Sequence, residues 1–335
     1  MSSVDILDVY RSSTNAKIVY IDLNSAIYLE ISDEEIYAKL KLAPEPLAQK
    51  VFRTKNYNTA IFIEVTIPES IETLTINNNI YSIHPPLLLS NVTAQLCLVF
   101  KDEWHIIPTV IEYYRRVHKV ERFILYDNNS SESPTPEILS DPQIHVVPWK
   151  IPYKHTLIPP PQSGPEWIII AQNSAYSHCL KKFSAATWTI LMDTDEFLIR
   201  RRDKPALKTI LESIPENVAT LYVNGFWAGC NKFPRDKIYM NLRKMSRRGD
   251  KLCSQKLILR TSKHEFTNCI HQAYRVEGTQ SKTLQINDGV YFFHLYTASA
   301  KNRACVCSSY CNILDKSFVE SWSHVPGPPA NHIKI

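Results

Sequence analysis

Two rhythms of apolar and polar positions divide the chain. Between about residues 15 and 85, short β-branched and aromatic runs alternate with polar turns, and 17–23, 26–31, 60–67, 73–76 and 80–83 read as strands. The last two are joined through Asn77-Asn78-Asn79, a hairpin turn in keeping with asparagine's tolerance of positive φ. A small antiparallel β-rich unit is expected over residues 1–90, with Pro85-Pro86 marking its exit. Its residues suggest no catalysis; acceptor recognition, partner binding and simple support all fit it.

From Thr93 strands alternate with helical patterns, as in a parallel α/β sheet. A strand over 95–100 ends at Lys101-Asp102-Glu103-Trp104. A helix over 107–119 follows, with Pro108 in its first turn and Ile107, Val110, Ile111, Tyr114 and Val117 on one stripe. The strand 122–126 ends at Asp127-Asn128-Asn129-Ser130-Ser131. A third, 144–147, leads through Pro148-Trp149 into a proline-rich loop over 152–165. A helix over 167–182, a helix over 205–213 and strands at 219–223, 256–260 and 290–296 complete the pattern. The main domain is expected over 91–315, with 316–335 as a tail.

The decisive stretch is Thr187-Trp188-Thr189-Ile190-Leu191-Met192-Asp193-Thr194-Asp195-Glu196-Phe197, an apolar run that stops at three carboxylates. A buried strand tolerates no unpaired charge, so Asp193 and Asp195 belong at or beyond its end, where open α/β sheets bind ligands. Two aspartates one residue apart can share a hard divalent cation, Mn2+ or Mg2+, which would grip a diphosphate. The alternative is that these acids open a helix and cap its N–H groups. Asp127 has two readings, as an acceptor for a nucleoside or as a turn cap. His294, ending an apolar strand, is either structural or a third metal ligand. Asn224-Gly225-Phe226-Trp227-Ala228-Gly229-Cys230-Asn231 is either a sugar-contacting loop or a tight turn with core aromatics.

Composition narrows the field without deciding it. The 335 residues are 44% hydrophobic and carry a formal charge of +5, enough for a sizeable core and too little basic clustering for a nucleic-acid module. The basic runs Arg200-Arg201-Arg202 and Arg243-Lys244-Met245-Ser246-Arg247-Arg248 equally suit the rim of a site for anionic sugar nucleotides. No signal-like N-terminus and no membrane-length apolar segment is seen, so a cytoplasmic protein is the default expectation; oligomeric state is not legible. The eight cysteines are dispersed and read as buried thiols, with Cys305, Cys307 and Cys311 close together. The Gly-rich phosphate loops and the G-x-S-x-G elbow are absent, against dinucleotide oxidoreductases, P-loop enzymes and α/β-hydrolases.

Taken in order, several elements resemble a GT-A glycosyltransferase, specifically glycosyltransferase family 92 and the related family-2-like domains. They are Lys101-Asp102-Glu103-Trp104, Glu112-Tyr113-Tyr114, Tyr126-Asp127-Asn128-Asn129-Ser130, Pro148-Trp149, Gln172, Tyr176 and His178-Cys179-Leu180. Asp193-Thr194-Asp195-Glu196-Phe197, Phe226-Trp227-Ala228-Gly229, Lys256-Leu257-Ile258-Leu259-Arg260, His271 and Phe293-His294-Leu295-Tyr296 follow. The resemblance covers roughly residues 91–300. It departs at Asp102, where the family often has asparagine, and at Leu295-Tyr296-Thr297, where Tyr-Arg often follows the histidine.

The resemblance implies a Rossmann-like mixed sheet and transfer of galactose, or another hexose or pentose, from a UDP-sugar to a glycan acceptor with inversion, using Mn2+. It implies Lys101, Glu103 and Asp127 near the nucleoside, Asp193 and Asp195 at the metal and donor ribose or diphosphate, and His294 as a further metal ligand. Asp236 is the candidate base, with Asp288 and Glu277 as rivals. Lys256 and Arg260 either touch phosphate or decorate a strand. Two other readings stand beside this one: a carbohydrate-binding or scaffold protein without turnover, and a metal-dependent nucleotidyltransferase.

Overall fold

The computed structural model describes residues 5–12, 15–24, 32–53, 61–85, 92–156, 167–200, 203–229, 246–269, 272–284, 290–295 and 313–314. Expectations for 26–31, 316–335, His271, Asp236 and Asp288 lie outside these residues.

The N-terminal unit holds β1 (Ile6–Arg11), β2 (Ile18–Leu23), helix α1 (Asp33–Lys39), β3 (Leu42–Ala43), β4 (Ala48–Arg53), β5 (Ile61–Thr66), β6 (Thr73–Ile76) and β7 (Asn79–Ser82). Four strands form an antiparallel sheet in the order β1-β2-β5-β4, and β3-β6-β7 form a second. The β6–β7 turn places Asn77 and Asn78 at φ +50° and +68°, which the asparagines accommodate. Helix α1 starts on a reciprocal capping box between Ser32 and Glu35.

The main unit opens with β8 (Ala94–Phe100), α2 (Ile107–His118), β9 (Arg122–Asp127), α3 (Pro136–Ser140), β10 (Ile144–Pro148), β11 (Lys154–Thr156) and β12 (Trp167–Ile169). It continues through α4 (Ala171–Lys182), β13 (Trp188–Leu191), β14 (Glu196–Arg200), α5 (Leu207–Glu212), β15 (Val218–Gly229) and β16 (Ser246–Arg260). The last strands are β17 (His264–Cys269), β18 (Gln272–Arg275), β19 (Gln280–Leu284), β20 (Val290–Leu295) and β21 (Ile313–Leu314). The sheet order is β10-β9-β8-β13-β16-β15-β20-β14, with β19 on β15 and β21 on β16. Strands β10, β9, β8 and β13 are mutually parallel, so their carboxyl ends share one edge; β16 then pairs antiparallel to β13. This is the Rossmann-like mixed sheet, preceded by a β-rich unit, that the sequence predicts.

One expectation is corrected and two alternatives are set aside. Residues 167–169 are a strand paired with β11, and the helix starts only at Ala171, because Trp167-Ile168-Ile169 is a β-prone run. The segment Asn224–Gly229 is not a tight turn: β15 runs on through it, with register shifts between Val223 and Gly225 and between Phe226 and Ala228. Asp193 to Glu196 does not open a helix, since Glu196 is the first residue of β14.

Helix α4 is buried on nearly all sides, including its polar residues, with β8 of the main sheet and the β17 strand packed along it. Its C-terminal end meets the N-terminal sheet through charge and aromatic faces. Asp8 accepts hydrogen bonds from His178 Nε2 at 2.9 Å and Lys182 Nζ at 2.5 Å, and Tyr126 donates to His178 Nδ1 at 2.7 Å. The Tyr10 ring meets His178 edge-on at 5.1 Å, and the Lys181 ammonium stands over Tyr20, Phe52 and Phe62 at 5.2–5.6 Å. Burial raises the Asp8 carboxyl, but His178 and Lys182 outweigh it and hold it well below the usual carboxylate range. Neighbouring Asp22 is pushed the other way by its own burial and by Asp8.

Asp8→Asn should lower stability at pH 7 by about 3 kcal/mol, since it strips a buried histidine and lysine of their shared carboxylate. Asp8 is depressed in the fold, so its contribution is present above the unfolded value of 3.8 and lost as pH falls through the folded one. The gap in melting midpoint between parent and variant should therefore be widest at pH 7, start to shrink at pH 3, just below the unfolded value of 3.8, and close only as the pH falls further towards the folded one. A gap unchanged by acid would contradict the assignment.

Candidate active site

The site forms where the parallel strands end. Strand register sets Phe100, at the end of β8, beside Asp127, at the end of β9, and Asp127 beside Pro148 of β10. Asp127 caps the loop that follows: Ser130 N–H donates to its Oδ1 at 2.9 Å and Trp104 Nε1 to its Oδ2 at 3.3 Å. Asp102 joins the two strand-end loops, accepting from Ser131 N–H at 2.7 Å and Ser131 Oγ at 2.9 Å. Its backbone has φ +56°, a conformation that aspartate and asparagine tolerate better than most residues. Asn128 donates to the carbonyls of Trp149 and Ile151, and Trp149 to that of Ala171, tying the β10 exit to α4.

The acids lie just beyond β13. The Thr194 hydroxyl donates to Glu103 Oε2 at 2.6 Å, which draws the first strand-end loop onto the acidic turn. Gln172, in the first turn of α4, donates to Asp193 Oδ1, and the Tyr176 hydroxyl donates to the Met192 carbonyl at 3.1 Å. Glu196 Oε2 accepts from Asp193 N–H at 3.0 Å, closing the turn on itself.

Lys256 reaches this turn from β16. The β13–β16 register pairs Leu191 with Leu257, so Lys256 comes alongside the end of β13. Its ammonium lies 2.9 Å from Asp193 Oδ2 and 2.9 Å from Glu196 Oε2, and its side chain is 2% exposed. Burial lowers the affinity of such an ammonium for its proton, but Asp193 and Glu196 outweigh it and hold Lys256 protonated well above the usual lysine range. Burial pushes the Glu196 carboxyl up to about 7, against the pull of Lys256.

Strand pairing brings in the histidine. In the antiparallel β14–β20 pair, Glu196 stands opposite His294, and in the parallel β15–β20 pair Trp227 does. His294 Nε2 is 3.6 Å from Asp195 Oδ2 and its Nδ1 is 3.4 Å from Glu196 Oε1. Asp195, Glu196 and His294 each present one ligand atom within 4.8 Å of the others. Glu196 Oε1 is buried and makes no hydrogen bond among the described residues. Two carboxylates and an imidazole suit Mn2+, so this trio fits a divalent cation.

The scaffold behind β14 is polar. From α2, Tyr114 Oη donates to the Glu196 carbonyl at 3.0 Å and accepts from Leu198 N–H at 3.1 Å, while His118 Nε2 donates to the Leu198 carbonyl at 2.7 Å. Burial lowers His118 to about 4, which keeps it neutral.

The model of glycosyltransferase family 92 matches residues 95–328, more than half of the chain. The chain belongs to glycosyltransferase family 92. No curated protein matches this family-92 chain. Among solved structures it is similar to glucosyl-3-phosphoglycerate synthase from Mycobacterium tuberculosis in complex with Mn2+, uridine diphosphate and glucosyl-3-phosphoglycerate, 15% identical over 41% of this chain and 44% of that one, TM-score 0.25. It is also similar to the apo WbbM bifunctional glycosyltransferase, 12% identical over 45% of this chain and 26% of that one, TM-score 0.27. The family-92 chain thus spans less than half the length of these structures.

Of the residues singled out from sequence, the fold gathers Glu103, Asp193, Asp195 and His294 around one turn, with Asp127 on the same strand-end edge. Lys101 is exposed at the mouth of the β8 loop, and Glu277 is exposed on a turn after β18. Asp193 is held by Lys256 and Gln172, outside the trio that fits a cation. Glu196 and Lys256 are the residues that sequence reading missed. Glu196 was visible only as the third acid of its run. Lys256, read as a strand decoration or a phosphate contact, is instead a buried partner of the acids. The motif residues Tyr126, Asn128, Trp149, Tyr176 and His178 work in the scaffold. Cys97 and Cys179 are buried free thiols, as expected.

Proposed function

We propose that the chain transfers a hexose or pentose, galactose being the first candidate, from a UDP-sugar to a hydroxyl of a glycan acceptor with inversion. One Mn2+ or Mg2+ would be held by Asp195, Glu196 and His294. The observation that carries this reading is the convergence of those three side chains, in a family-92 chain, beside the loops that end β8 and β9. When bound, the ion supplies positive charge to the departing diphosphate. Asp193, fixed by Lys256 and Gln172, is assigned to donor hydroxyls. Glu103 orients the acidic turn through Thr194, and Lys101 offers charge to the phosphates. A carboxylate takes the proton of the attacking hydroxyl, and Asp236 is our candidate for it.

Among the described residues no helix is long and apolar enough to cross a membrane. The test of the proposal is incubation of the purified protein with a panel of UDP-sugars, Mn2+ and a glycan library. We expect one donor to yield UDP and a lengthened glycan. Release of pyrophosphate would move the chain to nucleotidyl transfer, and binding without any turnover would move it to a non-catalytic carbohydrate binder.

Asp127→Asn should raise the donor KM about tenfold with kcat little changed, the loss of one charge-assisted hydrogen bond to the nucleoside. Steady-state kinetics with the identified donor checks it. An unchanged KM would return Asp127 to loop capping alone.

A further inference from the structure

The lysine in the acidic turn needs a reason. Position 256 is followed by the buried Leu257, Ile258 and Leu259 of a central strand, a setting that otherwise holds apolar side chains. A buried ammonium is tolerated only when its charge is matched and its protons are bonded. Here it is bonded to Asp193 Oδ2 and Glu196 Oε2, each at 2.9 Å, in a cluster that also holds Asp195. Carboxylates gathered this closely repel one another, and many phosphate-handling sites relieve the repulsion with a second metal ion bridging two of them. The ammonium occupies that bridging position.

Resting on the metal-dependent transfer reading above, we propose that Lys256 is the site's built-in second cation. It bridges Asp193 and Glu196, fixes both, and limits the site to a single divalent ion. Its grip on Glu196 Oε2 leaves Oε1 turned to the Asp195 and His294 side, 3.4 Å from His294 Nδ1. Its grip on Asp193 Oδ2 withdraws that carboxylate from metal binding. Lys256 is in this sense a positioning residue that contacts neither donor nor acceptor.

The test is Mn2+ binding followed by the electron paramagnetic resonance of free Mn2+, beside transfer kinetics, for the parent, Lys256→Ala and Lys256→Met. The parent should bind one Mn2+. Lys256→Ala vacates the bridging position and should take up a second Mn2+ while transferring about 100-fold more slowly. Methylammonium should enter the vacated space, displace the second ion and restore rate about tenfold. Lys256→Met fills the space with an uncharged chain; it should bind no second ion, ignore methylammonium and stay about 100-fold slow with donor KM within about threefold of the parent. The Met variant keeps the volume, so it serves if the Ala variant does not give a cooperative melting transition. A parent-like rate in Lys256→Met, or an Ala variant whose metal count and rate ignore methylammonium, would overturn the proposal. Failure of the parent to bind Mn2+ would instead overturn the metal reading, and this proposal with it.

Discussion

Asp195→Ala is expected to reduce sugar transfer by about a thousandfold or more, the largest single effect we anticipate. Stabilising charge on a departing diphosphate is worth several kcal/mol, and each 1.36 kcal/mol is about a factor of ten in rate. Asp195 lies between β13 and β14 at 7% exposure and faces His294 Nε2 at 3.6 Å, with one ligand atom in the candidate metal trio. Its removal should raise the Mn2+ concentration needed for half-maximal rate and leave the melting transition close to the parent's. Transfer within about tenfold of the parent would remove Asp195 from the chemistry.

Glu196→Gln and Asp193→Asn, taken as a pair, should separate metal binding from donor binding. Glu196 Oε1 points to the metal side, whereas both Asp193 oxygens are engaged away from it, one by Lys256 and one by Gln172. Replacing an anionic ligand by a neutral amide should weaken Mn2+ by about 30-fold or more and slow transfer by at least about 100-fold. Asp193→Asn should change Mn2+ affinity by less than about threefold while raising donor KM about tenfold or more. Mn2+ titration of both variants, followed by donor kinetics, decides it. The reverse pattern would put Asp193 at the metal and Glu196 in the scaffold.

The parts of this account that were legible in sequence are local ones. The apolar run into Asp193 can only be a buried strand that ends at its charges, and the strand–helix alternation from Thr93 follows from period and turn residues. What sequence did not disclose depends on register between distant strands. Lys256 lies 63 residues beyond Asp193, and only the antiparallel pairing of β16 with β13 brings them together. His294 reaches Glu196 by the β14–β20 register in the same way. Glu196 itself was masked by its neighbours, since D-x-D draws attention to the two aspartates. Strand β4 was missed because Ala48-Gln49-Lys50-Val51-Phe52-Arg53 lacks clean alternation; its pairing with β5 and the packing of Phe52 on Phe62, centroids 5.6 Å apart, hold it in the sheet. The contact of the N-terminal β-rich unit with α4 through Asp8, Tyr10 and Tyr20 was hidden in the same way, since it joins segments roughly 160 to 175 residues apart in sequence.

The most direct test of the central claim is calorimetric titration of UDP into the purified protein with and without Mn2+, beside Asp195→Ala. The account predicts saturable binding that requires Mn2+ and disappears in the variant. Binding that is indifferent to Mn2+, or that survives Asp195→Ala unchanged, would contradict a metal-held nucleotide sugar at this turn.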